Sequence, residues 1–301
     1  MDPWVIALVA VSAVLHLAWN VRLKTAGDPL RAATIGMLAG SVGIVPLGVA
    51  AWFAAGRPEL PVSGIVLGLA SGVVEAAYFI LLAAAYKRGD LSVVYPVARG
   101  TAPLLAVAVG VIVFGERLGV AGSIGVVALL AGFLWLQRPW RAIALARSGA
   151  VGARAAAADS AILFALATGV TIATYTAIDR LGTRQIDVLT YAAILWLTCS
   201  VVLVAWVGLV AGGDLLRYGP DASRRAAIGG FLTLGAYLCI LVALSVAPLS
   251  GVAPLRESAT VFAAAWGSVR LGEAGDRAEV VRRVGASVLI VGGALLLAVG
   301  S

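Results

Sequence analysis

Charge is what this sequence lacks most. Asp, Glu, Lys and Arg make up 12% of its 301 residues, where a water-soluble domain carries about 25%. Apolar residues make up 61% and the mean hydropathy is +1.03, which excludes a soluble fold. Histidine occurs once, and no HExxH, CxxC or comparable ligand cluster accompanies it, which argues against a metalloprotease or a di-metal oxidase. No GxxxxGK followed by Ser or Thr is present, so nothing suggests nucleotide hydrolysis. Asp214, Asp221, Glu273, Asp276 and Glu279 are scattered among arginines rather than clustered for phosphotransfer. The chain is therefore not read as an enzyme, and no cofactor or metal is expected. Its two cysteines, Cys199 and Cys239, fall inside apolar segments and read as buried thiols rather than a disulfide framework. The net charge of +7 and pI near 9.9 do not imply nucleic acid, because that reading needs a basic face on a soluble module and none fits here.

What is present is a succession of long apolar runs. Bounded by charge, Gly or Pro, they lie near 4–21, 32–54, 62–86, 91–114, 118–137, 159–179, 187–210, 226–246, 249–271 and 284–300. Hydrocarbon satisfies no backbone polar group, and the runs show no barrel-type alternation, so each is expected to be a helix. The first run lacks a positive leading region and a small-residue cleavage site, and is read as a retained span rather than a signal peptide. The fold class is all-α integral membrane with ten transmembrane helices. Residues 138–158, with Arg138, Arg141, Arg147 and Arg154 among alanines, form a basic linker between residues 1–137 and 159–301.

Lys and Arg are distributed unevenly among the connections. Connections after spans 1, 3, 5, 7 and 9 hold sixteen, whereas the others and both termini hold Arg57, Arg117, Arg180 and Arg184. The positive-inside rule puts the odd-numbered connections in the cytoplasm and both termini outside a cytoplasmic membrane. Trp4, Trp52, Trp135, Trp140 and Trp206 fall at span ends, as interfacial belts require.

The two halves echo each other. Leu91-Ser-Val-Val-Tyr-Pro96 aligns with Leu249-Ser-Gly-Val-Ala-Pro254, and Gly115-Glu116 with Gly272-Glu273 after a one-residue slip. Tyr78 matches Tyr237, and Trp19-Asn20-x3-Lys24 matches Tyr175-Thr176-x3-Arg180. A five-span unit repeated in tandem inserts its second copy upside down, so the halves are expected to form an inverted repeat.

An ionisable side chain deep in a span costs several kcal/mol unless it is paired or faces water, which makes each one a functional candidate. These are His16, Glu75, Arg99, Arg256 and Glu257. His16, Trp19 and Asn20 share one helix face, as do Glu75 and Tyr78. Arg99 lies between Pro96 and Pro103, and Arg256-Glu257 follow Pro254, so kinked or locally unwound helix is expected beside these charges. Arg99 paired with Glu75 is one arrangement the sequence allows. Trp19, Tyr78, Tyr175 and Tyr237 occupy repeat-related places and are candidate pocket walls for flat or cationic solutes. Stripes of small residues, Gly64-x3-Gly68-x3-Gly72, Gly36-x3-Gly40 and Ala98-x3-Ala102-x3-Ala106-x3-Gly110, are expected to pack helices of one chain closely, and the protein is read as monomeric.

The segments His16-x2-Trp19-Asn20-x3-Lys24, Tyr86-Lys-Arg-Gly-Asp-Leu-Ser-Val-Val-Tyr-Pro-Val-Ala-Arg-Gly-Thr-Ala-Pro-Leu-Leu105 and Phe114-Gly-Glu-Arg-Leu118 resemble those of EamA-type transporters of the drug/metabolite transporter superfamily. The resemblance runs through both five-span units. It departs where Arg256-Glu257-Ser258 replaces the Ala98-Arg99-Gly100 of the first half. It implies two inverted five-helix repeats around a central cavity, alternating access, and outward transport of small metabolites. The expected function is export of small polar or amphipathic metabolites such as amino acids, with a lipophilic-cation exporter or a lipid-handling membrane protein as alternatives. On this reading Arg99 and Arg256 offer charge to a carboxylate. Glu75 and Glu257 balance them, and either is a candidate carrier of a coupling proton. His16, Trp19, Asn20, Tyr78, Tyr175 and Tyr237 shape the pocket. Besides membrane lipid, the expected partners are a small-molecule metabolite and that proton.

Overall fold

A computed structural model describes residues 1–24, 27–89, 91–148, 153–211, 218–256 and 277–299. Among them the elements are helical: α1 (Pro3–Lys24), α2 (Pro29–Ala54), α3 (Val62–Tyr86), α4 (Leu91–Ala108), α5 (Val120–Gln137), α6 (Pro139–Arg147), α7 (Ala153–Gly182), α8 (Val188–Ala211), α9 (Pro220–Val246), α10 (Leu249–Arg256) and α11 (Arg277–Val299). Six stretches, within α2, α3, α5 running on to Arg141, α7, α8 and α9, are long and apolar enough to cross a membrane, and Pro3–His16, Val97–Val113 and Val284–Leu297 are shorter apolar helices. The expected all-helical membrane architecture is present.

Helix starts are set by local chemistry. Proline stands at the first position of α1, α2, α6 and α9, where no backbone donor is lost. Asp28 caps α2 by accepting from the Leu30 and Arg31 amides at 3.1 and 3.2 Å, and Asp187 does the same for Leu189 and Thr190 at the start of α8. Two features differ from the sequence expectation. α4 continues as helix through Pro96 and Pro103, and the irregularity comes later, as a π-helical turn over Val109–Val113. The basic linker contains the short helix α6, entered through Arg138 in the left-handed conformation (φ 46°).

The chain forms two compact units, each discontinuous in sequence. The first comprises Met1–Val14, Ala84–Ala173 and Ala247–Ser301, and the second Leu15–Ala83 and Thr174–Val246. In the first unit α5 lies along α11 with backbones in contact. A Cβ on Gly125 would stand 2.7 Å from the Gly293 carbonyl, and one on Gly132 2.9 Å from that of Ala286. Val126, Leu129, Leu136, Ala286, Ile290 and Leu297 close around this seam. Glu116, beyond the π-helical turn, caps α10 by accepting from the Leu249 and Ser250 amides at 2.7 and 2.9 Å. Arg282 donates to the Leu136 carbonyl at 2.5 Å.

In the second unit the glycine stripes meet other helices of the same chain. Gly64, Gly68 and Gly72 of α3 sit against Ile186, Ile194 and Leu195, while Gly36 of α2 crosses Gly230 of α9 at backbone contact. Ser41 and Ser200 share a hydrogen bond across α2 and α8 at 2.8 Å. A methyl on Gly230 would collide with the Gly36 carbonyl, whereas one on its neighbour Gly229 would meet nothing within 4 Å. Gly230→Ala should therefore lower stability by about 1–3 kcal/mol while Gly229→Ala leaves it near wild type, as measured by thermal unfolding of the two variants in detergent.

Candidate functional site

The second unit gathers most of the residues singled out by sequence. On α3, Ser71, Glu75 and Tyr78 follow one another at helical spacing along one face, and on α7 Tyr175 and Asp179 do the same. His16, Trp19, Glu75, Tyr78, Tyr175 and Tyr237 are all buried. Their rings form a continuous row. His16 meets Trp19 edge-on at 5.3 Å, Trp19 meets Phe79 at 6.4 Å and Phe79 meets Tyr78 at 4.8 Å. Tyr78 then contacts Tyr175 at 5.9 Å, Tyr175 contacts Tyr237 at 5.8 Å, and Tyr237 contacts Trp196 at 5.5 Å. These centroid distances lie within the range of favourable aromatic pairs, and most of the geometries are edge-to-face.

Asp179 organises the far end of the row. Its side chain is fully buried, with 0% exposure. Oδ1 accepts from Ser71 Oγ at 2.5 Å and from Tyr191 Oη at 2.9 Å, and Oδ2 accepts from Tyr237 Oη. One carboxylate thus gathers hydroxyls from α3, α8 and α9 onto α7. Sequence reasoning passed over Asp179 because it stands at the last position of the predicted span 159–179, where a charged residue usually marks the membrane surface. In the structure α7 extends to Gly182, and Asp179 is interior. The available signal was its i+4 relation to Tyr175, which already carried weight from the repeat.

Arg99 and Arg256 belong to the first unit, both buried, on α4 and α10, which pack against each other. Asn20 lies on α1, but its side chain, like all of Glu257, is outside the described residues.

A cavity of about 150 Å³ adjoins the near end of the aromatic row. Trp19, Ala32, Gly36, Met37, Phe79, Ala226, Gly229 and Thr233 line it, with Gly27, Tyr218 and Arg225 among its other walls. The Tyr218 hydroxyl donates to the Asp28 carbonyl at 3.5 Å, and burial first of all pushes its phenol above the ordinary tyrosine value, which keeps it a neutral donor. Among the described residues no group of three or more His, Cys, Asp and Glu side chains is arranged to hold a metal.

Buried acid, interior aromatics and membrane-length helices define a membrane protein with a polar interior. Residues 159–299 match the EamA-like transporter family. That match supports reading the chain as an EamA-type member of the drug/metabolite transporter superfamily, as the sequence motifs implied. Over 72 residues, 24% of this chain, it is 42% identical to the spermidine export protein MdtI of Shigella flexneri and 40% identical to that of Shigella dysenteriae serotype 1 (strain Sd197). The match spans 66% of each of those proteins. A solved crystal structure shares the fold with a TM-score of 0.68, over 98% of this chain and 96% of that one, at 22% sequence identity.

Removing the Asp179 carboxylate takes away an acceptor that three buried hydroxyls share. Asp179→Ala should cost about 1–3 kcal/mol of stability, the range for stranding buried partners. Tyr237→Phe, which deletes one hydrogen bond between helices, should cost only about 0.6 kcal/mol. Thermal unfolding of both variants in detergent checks the order.

Proposed function

We propose that the protein is a ten-span secondary transporter of the cytoplasmic membrane, composed of two inverted halves, 1–137 and 159–301 joined by the linker 138–158, that exports small amine-bearing metabolites. The observation that carries the substrate class is the interior of the second unit, where Asp179 accepts from Tyr237 at one end of a row of aromatic rings and Glu75 is buried one helical turn from Tyr78 of that row. Carboxylates and ring faces both attract an ammonium group, strongly so away from water. The spermidine exporters that share part of the sequence are named for a polyamine, which agrees. Amino acids, which carry an ammonium group beside their carboxylate, stay within the class. Glu75 carries the coupling proton on this reading, and rocking of one five-span half against the other gives alternating access.

The loop contacts support ten crossings. The connection after α1 touches the one after α8 through Tyr218 and Asp28, the Leu136 carbonyl in the last turn of α5 receives Arg282 from α11's first turns, and Arg88, after α3, covers Phe164 in the first half of α7. The other set pairs likewise: Ser63 with Gln185 at 2.6 Å, Glu116 with the start of α10, and the Met1 amine with the Leu297 carbonyl at 3.2 Å. Odd-numbered connections meet odd ones and even meet even, as strict alternation across a bilayer requires. The unit boundaries also fall at similar places in the two halves, within α1 and α7, in the last turn of α3 and at the end of α9, which supports duplication.

Two experiments test this reading. In proteoliposomes loaded with spermidine or leucine, the wild type should release one or both, with a rate that follows an imposed pH gradient. Glu75→Gln should cut the rate by at least about tenfold and remove the pH response, while its melting temperature stays near that of wild type. Equal flux in empty and protein-bearing liposomes would refute export of amines. For topology, in a background without Cys199 and Cys239, a cysteine at Arg224 should resist a membrane-impermeant maleimide in intact cells and one at Arg57 should react; the opposite pattern would invert the assignment.

A further inference from the structure

The cavity between α1, α2 and α9 differs in chemistry from the aromatic row it adjoins. No carboxylate lines it among the described residues, and its one charged wall is the exposed guanidinium of Arg225. Trp19, 5% exposed, keeps its indole N–H buried with no hydrogen-bond partner among the described residues, a donor still lacking an acceptor. Met37, Phe79 and the alanines of α2 and α9 supply apolar walls, and the Gly36–Gly230 backbone crossing forms part of its lining. Gly229 faces open space, since a Cβ there would touch nothing within 4 Å. Gly27 and Tyr218 lie in connections beyond the spans, so the cavity reaches the aqueous end of the helices.

From this we infer that the cavity is a binding site for a small amphipathic carboxylate, held by Arg225 through its anionic group and by the Trp19 N–H through an acceptor oxygen, with its apolar chain against Phe79 and Met37. A volume of about 150 Å³ is below the roughly 300–1,000 Å³ of drug-sized pockets, which limits the occupant to one polar head and a short chain. The positive charge and unmatched donor select against amines, the opposite of the interior of the row. The site does not rest on the transport reading, because a carboxylate bound there acts on the second unit whether or not it is itself moved.

The test is thermal stabilisation of the purified full-length protein by 4-methyl-2-oxopentanoate, with 3-methylbutylamine, the same branched chain bearing a cation, as comparison. The oxo acid should raise the melting temperature and the amine should not. Arg225→Ala, at an exposed position, should weaken the apparent affinity by about tenfold. Trp19→Phe, which keeps a ring and removes the N–H, should weaken it as well, and Gly229→Leu should abolish it by filling the space. Equal stabilisation by the amine, or an effect of the acid that survives both Arg225→Ala and Trp19→Phe, overturns the proposal. So does a cavity that responds only to phosphatidylglycerol in nanodiscs, which would make the occupant a lipid. Binding is read without flux, so liposomes that fail to export amines leave this site standing, and a protein that exports amines without stabilisation by the oxo acid loses the site alone.

Discussion

Hydrocarbon supplies no hydrogen bonds, and that constraint shapes the whole protein. Each backbone N–H and C=O within a span must be satisfied by its own helix, which turns 61% apolar composition into an all-helical chain. Without water to drive helices together, close packing and interhelical hydrogen bonds have to hold them. Both devices are visible. Gly36 against Gly230 and Gly125 against Gly293 bring backbones into contact, and Ser41 with Ser200 ties α2 to α8.

The same constraint gives Asp179 its weight. A carboxylate buried in such an interior is costly unless several donors satisfy it, and Asp179 has donors from three other helices. The result is rigid: four helices agree on one geometry around one side chain. Glu75 stands one turn from Ser71 on α3, so the neighbouring acid is carried on an element that Asp179 positions. The aromatic row then extends from this polar centre toward His16 and Trp19, changing along its length from carboxylate-rich to a cavity whose charged wall is cationic. One compact unit thereby presents two electrostatically opposite environments.

The motifs around Trp19, Pro96 and Glu116 were enough to point to the EamA-type family, and the second half matches that family on its own. Tyr78, Tyr175 and Tyr237 stood out in the sequence by their repeat-related positions, and the structure sets their rings in contact. Asp179 was missed for a geometric reason: a hydropathy window ends a span at the first charge, whereas α7 continues past it. Gly229 and Arg225 carried no signal in one dimension. One is a glycine among many and the other a basic residue in a basic connection, and only the neighbours that α1 and α2 bring to α9 give them a cavity.

Composition and periodicity by themselves determined the class of solvent, the helical state and the spacing of the apolar runs, because these follow from transfer free energy and backbone hydrogen bonding within each segment. The short helix α6 and the π-helical turn after α4 were settled by tertiary structure, as were the regrouping of both halves into two discontinuous units and the meeting of Ser71, Tyr191 and Tyr237 on Asp179. Ser71 and Tyr237, 108 and 58 residues from Asp179, share no local pattern with it, and Tyr191, 12 residues away, lies on a different helix. Their encounter is fixed by which glycine-lined faces allow helices to approach, a property of pairs of surfaces rather than of any one segment.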